Sequence, residues 1–199
     1  MTDGFLLPHG GYKNLLSYQK AQIVFDATVT FCDRFIPRRS RTHDQMVQAA
    51  RSGKQNIVEG SMASGTSKEM EIKLTNVARA SLEELLDDYR DFLRVRNLQE
   101  WNKDHPYARR LRQLNRLPRA DYQTFRKGIE NADPAISANV IIGRIRVTSY
   151  LLDRQLKQLE QAFLKEGGLR ERMTKARLAA RKTRLATTVT KRTPAPERP

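Results

Sequence analysis

Arg38 and His43 are the first residues to consider for chemistry, because four residues separate them in a basic corner of the chain. A histidine can act as a general base or acid, and an arginine can steady a phosphate. The pair supports a ribonuclease hypothesis. The same residues also fit a charged corner after Pro37 with a partly exposed histidine, since this spacing arises easily in so basic a chain.

A second group of candidate ligands is the acidic face of a predicted helix, formed by Glu84, Asp87, Asp88 and Asp91. Carboxylates on neighbouring turns supply the oxygen atoms that hard divalent cations prefer. Acidic side chains on an exposed helix face more often meet Lys or Arg from a neighbouring helix or subunit. Ion pairing is therefore the favoured interpretation, and we predict no metal site.

Most other enzyme classes lack their minimum residues here. The sequence contains no P-loop, GxGxxG, GxSxG or HExxH motif, so the phosphate cradle, nucleophile elbow and zincin arrangements are excluded. His9, His43 and His105 form no ExxH pair of the kind that a di-iron helical bundle needs. The single cysteine, Cys32, excludes an internal disulfide and a cysteine-rich zinc site. We predict no catalytic residues and no cofactor.

The positive charge is large and unevenly distributed. The 199 residues include 37 Lys and Arg against 22 Asp and Glu, a formal net charge of +15. Residues 94–128 hold ten basic and three acidic side chains, and residues 165–199 hold eleven and three. Basic segments on a nearly neutral scaffold indicate a polyanion partner, most simply nucleic acid, with a solvated surface as the alternative.

The side chains predicted to contact RNA or DNA phosphates lie in basic segments at 38–54, 94–128 and 165–192. They are Arg38, Arg39, Arg41, Arg51, Lys54, Arg109, Arg110, Arg112, Arg116, Arg119, Arg170, Arg172, Arg177, Arg181, Lys182 and Arg184. Trp101 and Tyr107 lie within the middle segment. Their rings either stack on bases or, as the favoured interpretation, pack in the core.

Apolar residues at helical spacing predict an all-α fold. Helices are predicted at about 13–36, 43–59, 67–96 and 134–165, with an excursion of short helical candidates at 97–133. Thr42 with Gln45 and Thr66 with Glu69 fit capping boxes, and Gly60 fits a left-handed end of the second helix. Four amphipathic helices are most simply an antiparallel, up-down-up-down four-helix bundle.

The predicted organisation is an N-terminal segment at 1–11, the bundle with its excursion at 12–166, and a basic extension at 167–199. Within the extension, 169–185 is a helix candidate and the segment from Thr187 is predicted to be disordered. No apolar run approaches the roughly 18 to 20 residues that span a bilayer, and no signal-peptide pattern is present. We expect a cytoplasmic protein that does not contact membranes.

A recognisable motif covers residues 45–86. It consists of Gln45, Ala49-Ala50-Arg51-Ser52, Asn56-Ile57-Val58-Glu59-Gly60, Ser67-Lys68-Glu69 and Ala78-Arg79-Ala80-Ser81-Leu82-Glu83-Glu84-Leu85. This motif resembles the family called 23S rRNA intervening sequence protein, or four helix bundle protein, with its NIxEG helix end and A-R-x-S-L-x-E-L helix. The resemblance covers roughly residues 12–96. The excursion and the extension look like the longer subgroup with a suffix region.

The resemblance implies a left-handed bundle that assembles as a ring, usually a homopentamer. One branch of the family is the accessory variability determinant of diversity-generating retroelements, a basic, non-enzymatic partner of reverse transcriptase and nucleic acid. Other members are encoded in ribosomal RNA insertions and have no settled activity. We expect structural roles for the motif residues Gln45, Ser52, Asn56, Glu59, Gly60, Ser81 and Glu84, with small residues letting the second and third helices approach closely.

The leading hypothesis is therefore a non-enzymatic, oligomeric adaptor that binds RNA or DNA, accessory to a reverse transcriptase or to ribosomal RNA. Two alternatives stay open. One is a ribonuclease that uses Arg38 and His43, because their spacing resembles the Arg-x4–6-His signature of a family of all-α ribonucleases, in which the histidine acts on the side of the 2′-hydroxyl. The other is a scaffold that presents its basic surface to an acidic protein partner such as a polymerase.

Overall fold

The computed structural model describes residues 10–117 and 120–190, and in these ranges it is helical without a strand. A turn of 3₁₀ helix at Tyr12–Asn14 comes first. The α-helices that follow are α1 Leu16–Phe35, α2 Arg41–Ala63, α3 Lys68–Val95, α4 Pro106–Asn115, α5 Tyr122–Ile129, α6 Pro134–Glu166 and α7 Leu169–Thr190. The predicted all-α class is confirmed. Among the described helices, none combines the length with the apolar character that crossing a bilayer requires.

The long helices α1, α2, α3 and α6 share one apolar core. α2 packs against α1 and α3, and α6 packs against the same two helices. Phe31 lies at the centre of an aromatic group, with its ring centroid 5.0 Å from that of Tyr89 and 4.8 Å from that of Phe92. The buried Tyr89 hydroxyl donates to the Thr28 hydroxyl at 3.2 Å, which satisfies the polar atom that tyrosine brings into a core.

Cys32 lies in the same core and is fully buried. Desolvation by burial raises the pKa of its thiol to about 12, and the neighbouring charges of Asp33 and Asp88 act in the same direction. The thiol is therefore neutral at physiological pH and contributes as a small apolar group.

Small residues let α2 and α3 approach closely, as predicted. A Cβ atom placed on Gly53 would lie 2.7 Å from Cδ2 of the buried Leu82. Beside this contact, the hydroxyl oxygens of Ser52 and Ser81 are 2.9 Å apart, and Asn56 Nδ2 donates to the Ser52 carbonyl oxygen at 2.9 Å. The polar side chains of the interface thus satisfy one another, which buried polar groups require.

Two of the predicted helix starts are wrong in their capping residue. Ser40, not Thr42, caps α2, because its hydroxyl accepts from the Thr42 backbone N–H at 3.2 Å. Ser67, not Thr66, caps α3 and accepts from the Met70 N–H at 3.1 Å. Both serines have the extended backbone that an N-cap needs. The predicted cap of α6 is confirmed, since the Asp133 carboxylate accepts from the Ala135 N–H at 2.8 Å.

The predicted helix end at Gly60 is also wrong. α2 continues through Gly60 to Ala63, so the predicted turn at 61–65 starts later. A Cβ atom on Gly60 would lie 3.3 Å from the backbone oxygen of Glu71, and the glycine therefore gives room for the start of α3. Left-handed backbone occurs elsewhere, at Asn97 after α3, with φ 53°, and at the predicted end of α6, Gly167, with φ 73°.

The predicted excursion folds as two helices on the surface of α6. α4 and α5 both pack against α6, and α5 also contacts α1. Glycines make this docking possible, because a Cβ atom on Gly143 of α6 would collide with Leu111 of α4. Similarly, a Cβ atom on Gly128 of α5 would lie 2.9 Å from a methyl group of Val140.

The basic extension begins as a long helix. α7 runs to Thr190 and so includes residues 187–190, the first part of the segment for which disorder is predicted. The rest of that prediction, for 191–199, lies outside the described residues, as do residues 1–9 of the predicted N-terminal segment.

Candidate nucleic-acid interface

α4 and its end carry several of the predicted phosphate contacts. Arg109, Arg112 and Arg116 follow one another by three and four residues and therefore lie on one side of the helix. All three are exposed, as is Arg110. Arg109 Nη2 is 3.7 Å from a carboxylate oxygen of Asp104, an exposed pair that contributes little to stability. The neighbouring predicted contact, Arg119, lies outside the described residues.

α7 is a basic helix at the surface of the protein. From 169 to 184, none of its side chains is buried. The predicted contacts Arg170, Arg177, Arg181 and Arg184 are exposed and are spaced by seven, four and three residues, which forms one stripe. Lys182 is exposed beside them. Arg172 differs, because its guanidinium nitrogens are enclosed and have no hydrogen-bond partner among the residues that the structure describes.

The corner between α1 and α2 contains the arginine and histidine that suggested a ribonuclease. Arg38 Nη2 lies 3.4 Å and His43 Nε2 lies 3.5 Å from the same carboxylate oxygen of Asp33. Asp33 therefore already supplies the negative charge that a substrate phosphate would bring. The His43 side chain is only 16% exposed, and both features weigh against catalysis. Arg39 and Arg41 beside them are exposed.

The two predicted contacts in the middle of α2 differ in their surroundings. Arg51 is exposed. Lys54 is half-buried, and its ammonium group lies 4.2 Å from the centroid of the Phe25 ring. That position is typical of a cation–π interaction, so the Lys54 charge already has a partner within the fold.

The start of α7 lies far from the corner between α1 and α2. The start of α7, residues 168–171, borders the same groove as residues 66–69 between α2 and α3. Arg41 begins α2 at the other end of its 23 residues, and an α-helix rises about 1.5 Å per residue. The corner arginines and the start of α7 are therefore about 35 Å apart.

The motif residues lie where α2 faces α3 or on the exposed sides of these helices. Ser52, Asn56 and Ser81 form the polar contact described above, and Gly60 is buried. The side chains of Gln45, Glu59 and Glu84 are exposed. Glu59 lies within α2 and not at its end, so it does not satisfy end groups of the helix.

The acidic face of α3 is largely a set of ion pairs. Arg90 Nη1 lies 3.2 Å from Asp87, and Arg94 Nη2 lies 2.8 Å from Asp91. Asp88 differs, because burial raises the pKa of its carboxyl to about 6, with further contributions from Glu84, Asp91 and Asp87. Among the described residues, no group of three or more His, Cys, Asp or Glu side chains is placed to hold a metal ion.

We expect Asp88→Asn to stabilise the protein at pH 7 by about 1–2 kcal/mol, after allowance for solvent screening. The pKa of Asp88 is higher in the folded protein, about 6 against 3.8, so its contribution to stability falls as the pH rises through that interval. The gain should therefore vanish near pH 4. Urea denaturation at pH 4, 5.5 and 7 measures it, with Asp87→Asn as the exposed control. An equal gain at pH 4 and pH 7 would contradict the assignment.

Sequence reasoning missed two buried cations, Lys20 and Arg144. Lys20 is 7% exposed and its ammonium donates to the Ala120 carbonyl oxygen at 2.8 Å. Burial lowers the pKa of Lys20, and repulsion from Arg144 lowers it further. The sequence did contain a signal for the burial of Arg144, because this residue follows Val140 and Ile141 by four and three positions and therefore lies on the apolar stripe.

Arg144 is fully buried, and burial lowers its pKa to about 10. Its guanidinium carbon lies 4.3 Å from the centroid of the Phe125 ring, and Nη1 donates to Asn115 Oδ1. Among the described residues, Nε and Nη2 have no hydrogen-bond partner. This positive charge beneath α4 and α5 thus has no ion-pair partner in the part of the chain that the structure describes.

No protein-family model matches this chain, and its comparison with curated proteins and with solved structures also gives no match. The proposed function therefore depends on the arrangement of the charged side chains.

Proposed function

We propose that this protein is a non-enzymatic, oligomeric adaptor that binds the phosphate backbone of RNA or DNA. The observation that carries the proposal is the arginine stripe of α7, on a helix whose described side chains are not buried. Such a helix gains little stability from the core and is free to lie along another surface. A polyanion matches its charge and would hold it through many phosphate contacts.

The arginines of α4 support a second contact region for the same ligand. α4 docks on α6 at Gly143, whereas α7 follows the end of α6 at Glu166. The rise of an α-helix places these points about 35 Å apart. A single ligand that bridges both regions would need about ten base pairs of duplex, so we expect shorter duplexes to bind more weakly.

The arrangement and assembly of the helices belong to the same proposal. The cyclic packing of α1, α2, α3 and α6 supports an antiparallel, up-down-up-down bundle. Met70 and Val77 lie seven residues apart on α3 and are each 45% exposed, which supports contact between copies. Following the motif resemblance, we propose a homopentamer of the 23S rRNA intervening sequence protein type, with ribosomal RNA or a reverse transcriptase complex as its setting.

The experiment that tests the proposal is a salt titration of binding to labelled single-stranded RNA, duplex RNA and duplex DNA. If about six phosphates are contacted, the affinity should fall by about a thousandfold between 50 and 200 mM salt, with little dependence on sequence. Sequence-selective binding that salt does not weaken would contradict the proposal.

Two other outcomes would favour the alternative functions. No binding to any of the three ligands at about 0.15 M salt, where the screening length is about 8 Å, would favour a scaffold for an acidic protein. RNA fragments that appear with the intact chain and disappear with His43→Ala would favour the ribonuclease.

A further inference from the structure

Two apolar grooves flank α4. The first lies between α4 and α6, has a volume of about 330 Å³ and is lined by Leu111, Ile142 and Gly143, with Trp101 and Tyr150 at its sides. The second lies among α4, α5 and α6, has a volume of about 490 Å³ and is lined by Trp101, Tyr107 and Phe125. Both fall in the size range of small-ligand sites. Trp101 and Leu111 line both grooves.

The lining of both grooves is basic and contains no acidic side chain among the described residues. Lys103, Arg112 and Arg146 line the first groove, and Arg110 and Lys127 line the second. Arg146 already pairs with Glu100, whereas Lys103, Arg112, Arg110 and Lys127 are exposed. The charge around the two grooves is therefore complementary to an anion.

Arg144 adds positive charge between the two grooves. Its acceptor, Asn115, lines the first groove, and Phe125, over whose ring its guanidinium lies, lines the second. Two of its nitrogens have no acceptor within residues 10–117 and 120–190. A nearby anion would lower the electrostatic cost of this buried charge.

Aromatic rings provide flat surfaces at the same place. The Trp101 ring is stacked on His105, with centroids 4.9 Å apart and planes 5° apart, and the Tyr107 centroid lies 5.4 Å from that of Trp101. Tyr107 and Tyr150 are 56% and 60% exposed. Exposed rings beside cations are the arrangement on which unpaired bases stack while their phosphates meet Lys and Arg.

We propose that the two grooves beside α4 hold unpaired bases of single-stranded nucleic acid. The inference rests on the proposed function and adds a preference, because bases that are paired and stacked within a duplex do not reach the grooves. The grooves thus favour single strands, whereas the exposed arginines of α4 and α7 contact the phosphates of single strands and duplexes alike.

The fluorescence of Trp101, the single tryptophan of the chain, tests this directly. Single-stranded RNA and DNA oligonucleotides and a duplex of the same sequence are titrated into the full chain, with occupancy measured separately by anisotropy of a labelled strand. We expect single strands to quench the fluorescence strongly and the duplex to change it little at equal occupancy. RNA that quenches more than DNA would assign RNA as the source of the bases, and the reverse result would assign DNA.

Variants of the two exposed tyrosines separate stacking from other causes of quenching. Tyr107→Ala and Tyr150→Ala should each weaken single-strand binding by about tenfold and leave duplex binding unchanged. Tyr107→Phe and Tyr150→Phe keep the ring and should bind as the unaltered chain does.

Equal quenching by single strands and duplex, or single-strand affinity that is the same in the Ala and Phe variants, overturns the inference while the adaptor function stands. Binding to no nucleic acid overturns both.

Discussion

Neutralising three arginines of the α7 stripe together with the adjacent Lys182 should lower the affinity for nucleic acid by about a hundredfold at 0.15 M salt. The variant replaces Arg170, Arg177, Arg181 and Lys182 with Gln, and each of these side chains is exposed. Because each lost phosphate contact reduces the salt slope by about 0.9, the slope should become shallower by three to four. The free energy of unfolding should change by less than about 0.5 kcal/mol. Binding isotherms at several salt concentrations, together with urea denaturation, measure both quantities.

A matched control distinguishes the position of the charge from its amount. Replacing Arg79, Arg90, Arg94 and Arg154 with Gln removes the same formal charge, and the first three of these arginines already pair with Asp153, Asp87 and Asp91. We expect the control to bind within about threefold of the unaltered chain, since paired surface charges attract a distant ligand only weakly. If it loses as much affinity as the α7 variant, the net charge and not α7 governs binding.

The second large effect is expected at the contact between α2 and α3. Gly53→Ala should destabilise the protein by about 2–3 kcal/mol, because the new Cβ would lie 2.7 Å from Leu82 Cδ2 and Leu82 is fully buried. A loss of this size lowers the melting temperature by roughly 5–10 °C in a chain of this length. Thermal and urea denaturation measure the change.

Gly11→Ala is the matched control, since no atom lies within 4 Å of a Cβ at that position and φ is −78°. It should leave stability unchanged or raise it by up to about 1 kcal/mol. Leu82→Ala combined with Gly53→Ala should cost less than the sum of the two single substitutions, because truncation of the leucine removes the clash. Full additivity, or a Gly53→Ala variant as stable as the unaltered chain, would show that α2 and α3 have room to adjust.

Much of the fold follows from local patterns in the sequence. The stripe of α6, its cap at Asp133 and its end at Gly167 were predictable, because each depends on residues within one or two turns. The helix end predicted at Gly60 is wrong for the opposite reason. Its role depends on the approach of the Glu71 backbone from another helix, and no local pattern distinguishes that from a helix end.

The candidate site divides in the same way. The exposure of Arg109, Arg177 and similar side chains could be expected from residue type, since long charged groups rarely lie in a core. The sequence could not show which of these side chains have partners within the fold. Asp33 lies beside Arg38 and His43, and Phe25 lies beside Lys54, only because of tertiary packing. Arg144 departs most clearly from the expected exposure of charged residues, because it is a buried cation on the apolar stripe of α6.

The buried thiol of Cys32 gives the protein an internal reporter of its own opening. Alkylating reagents attack the thiolate, and this sulfur has neither solvent access nor, with a pKa of about 12, a useful thiolate population in the closed state. Modification therefore requires α1 to separate from its neighbours. The alkylation rate then measures the equilibrium between closed and opened molecules, and any ligand that holds the helices together slows it by mass action.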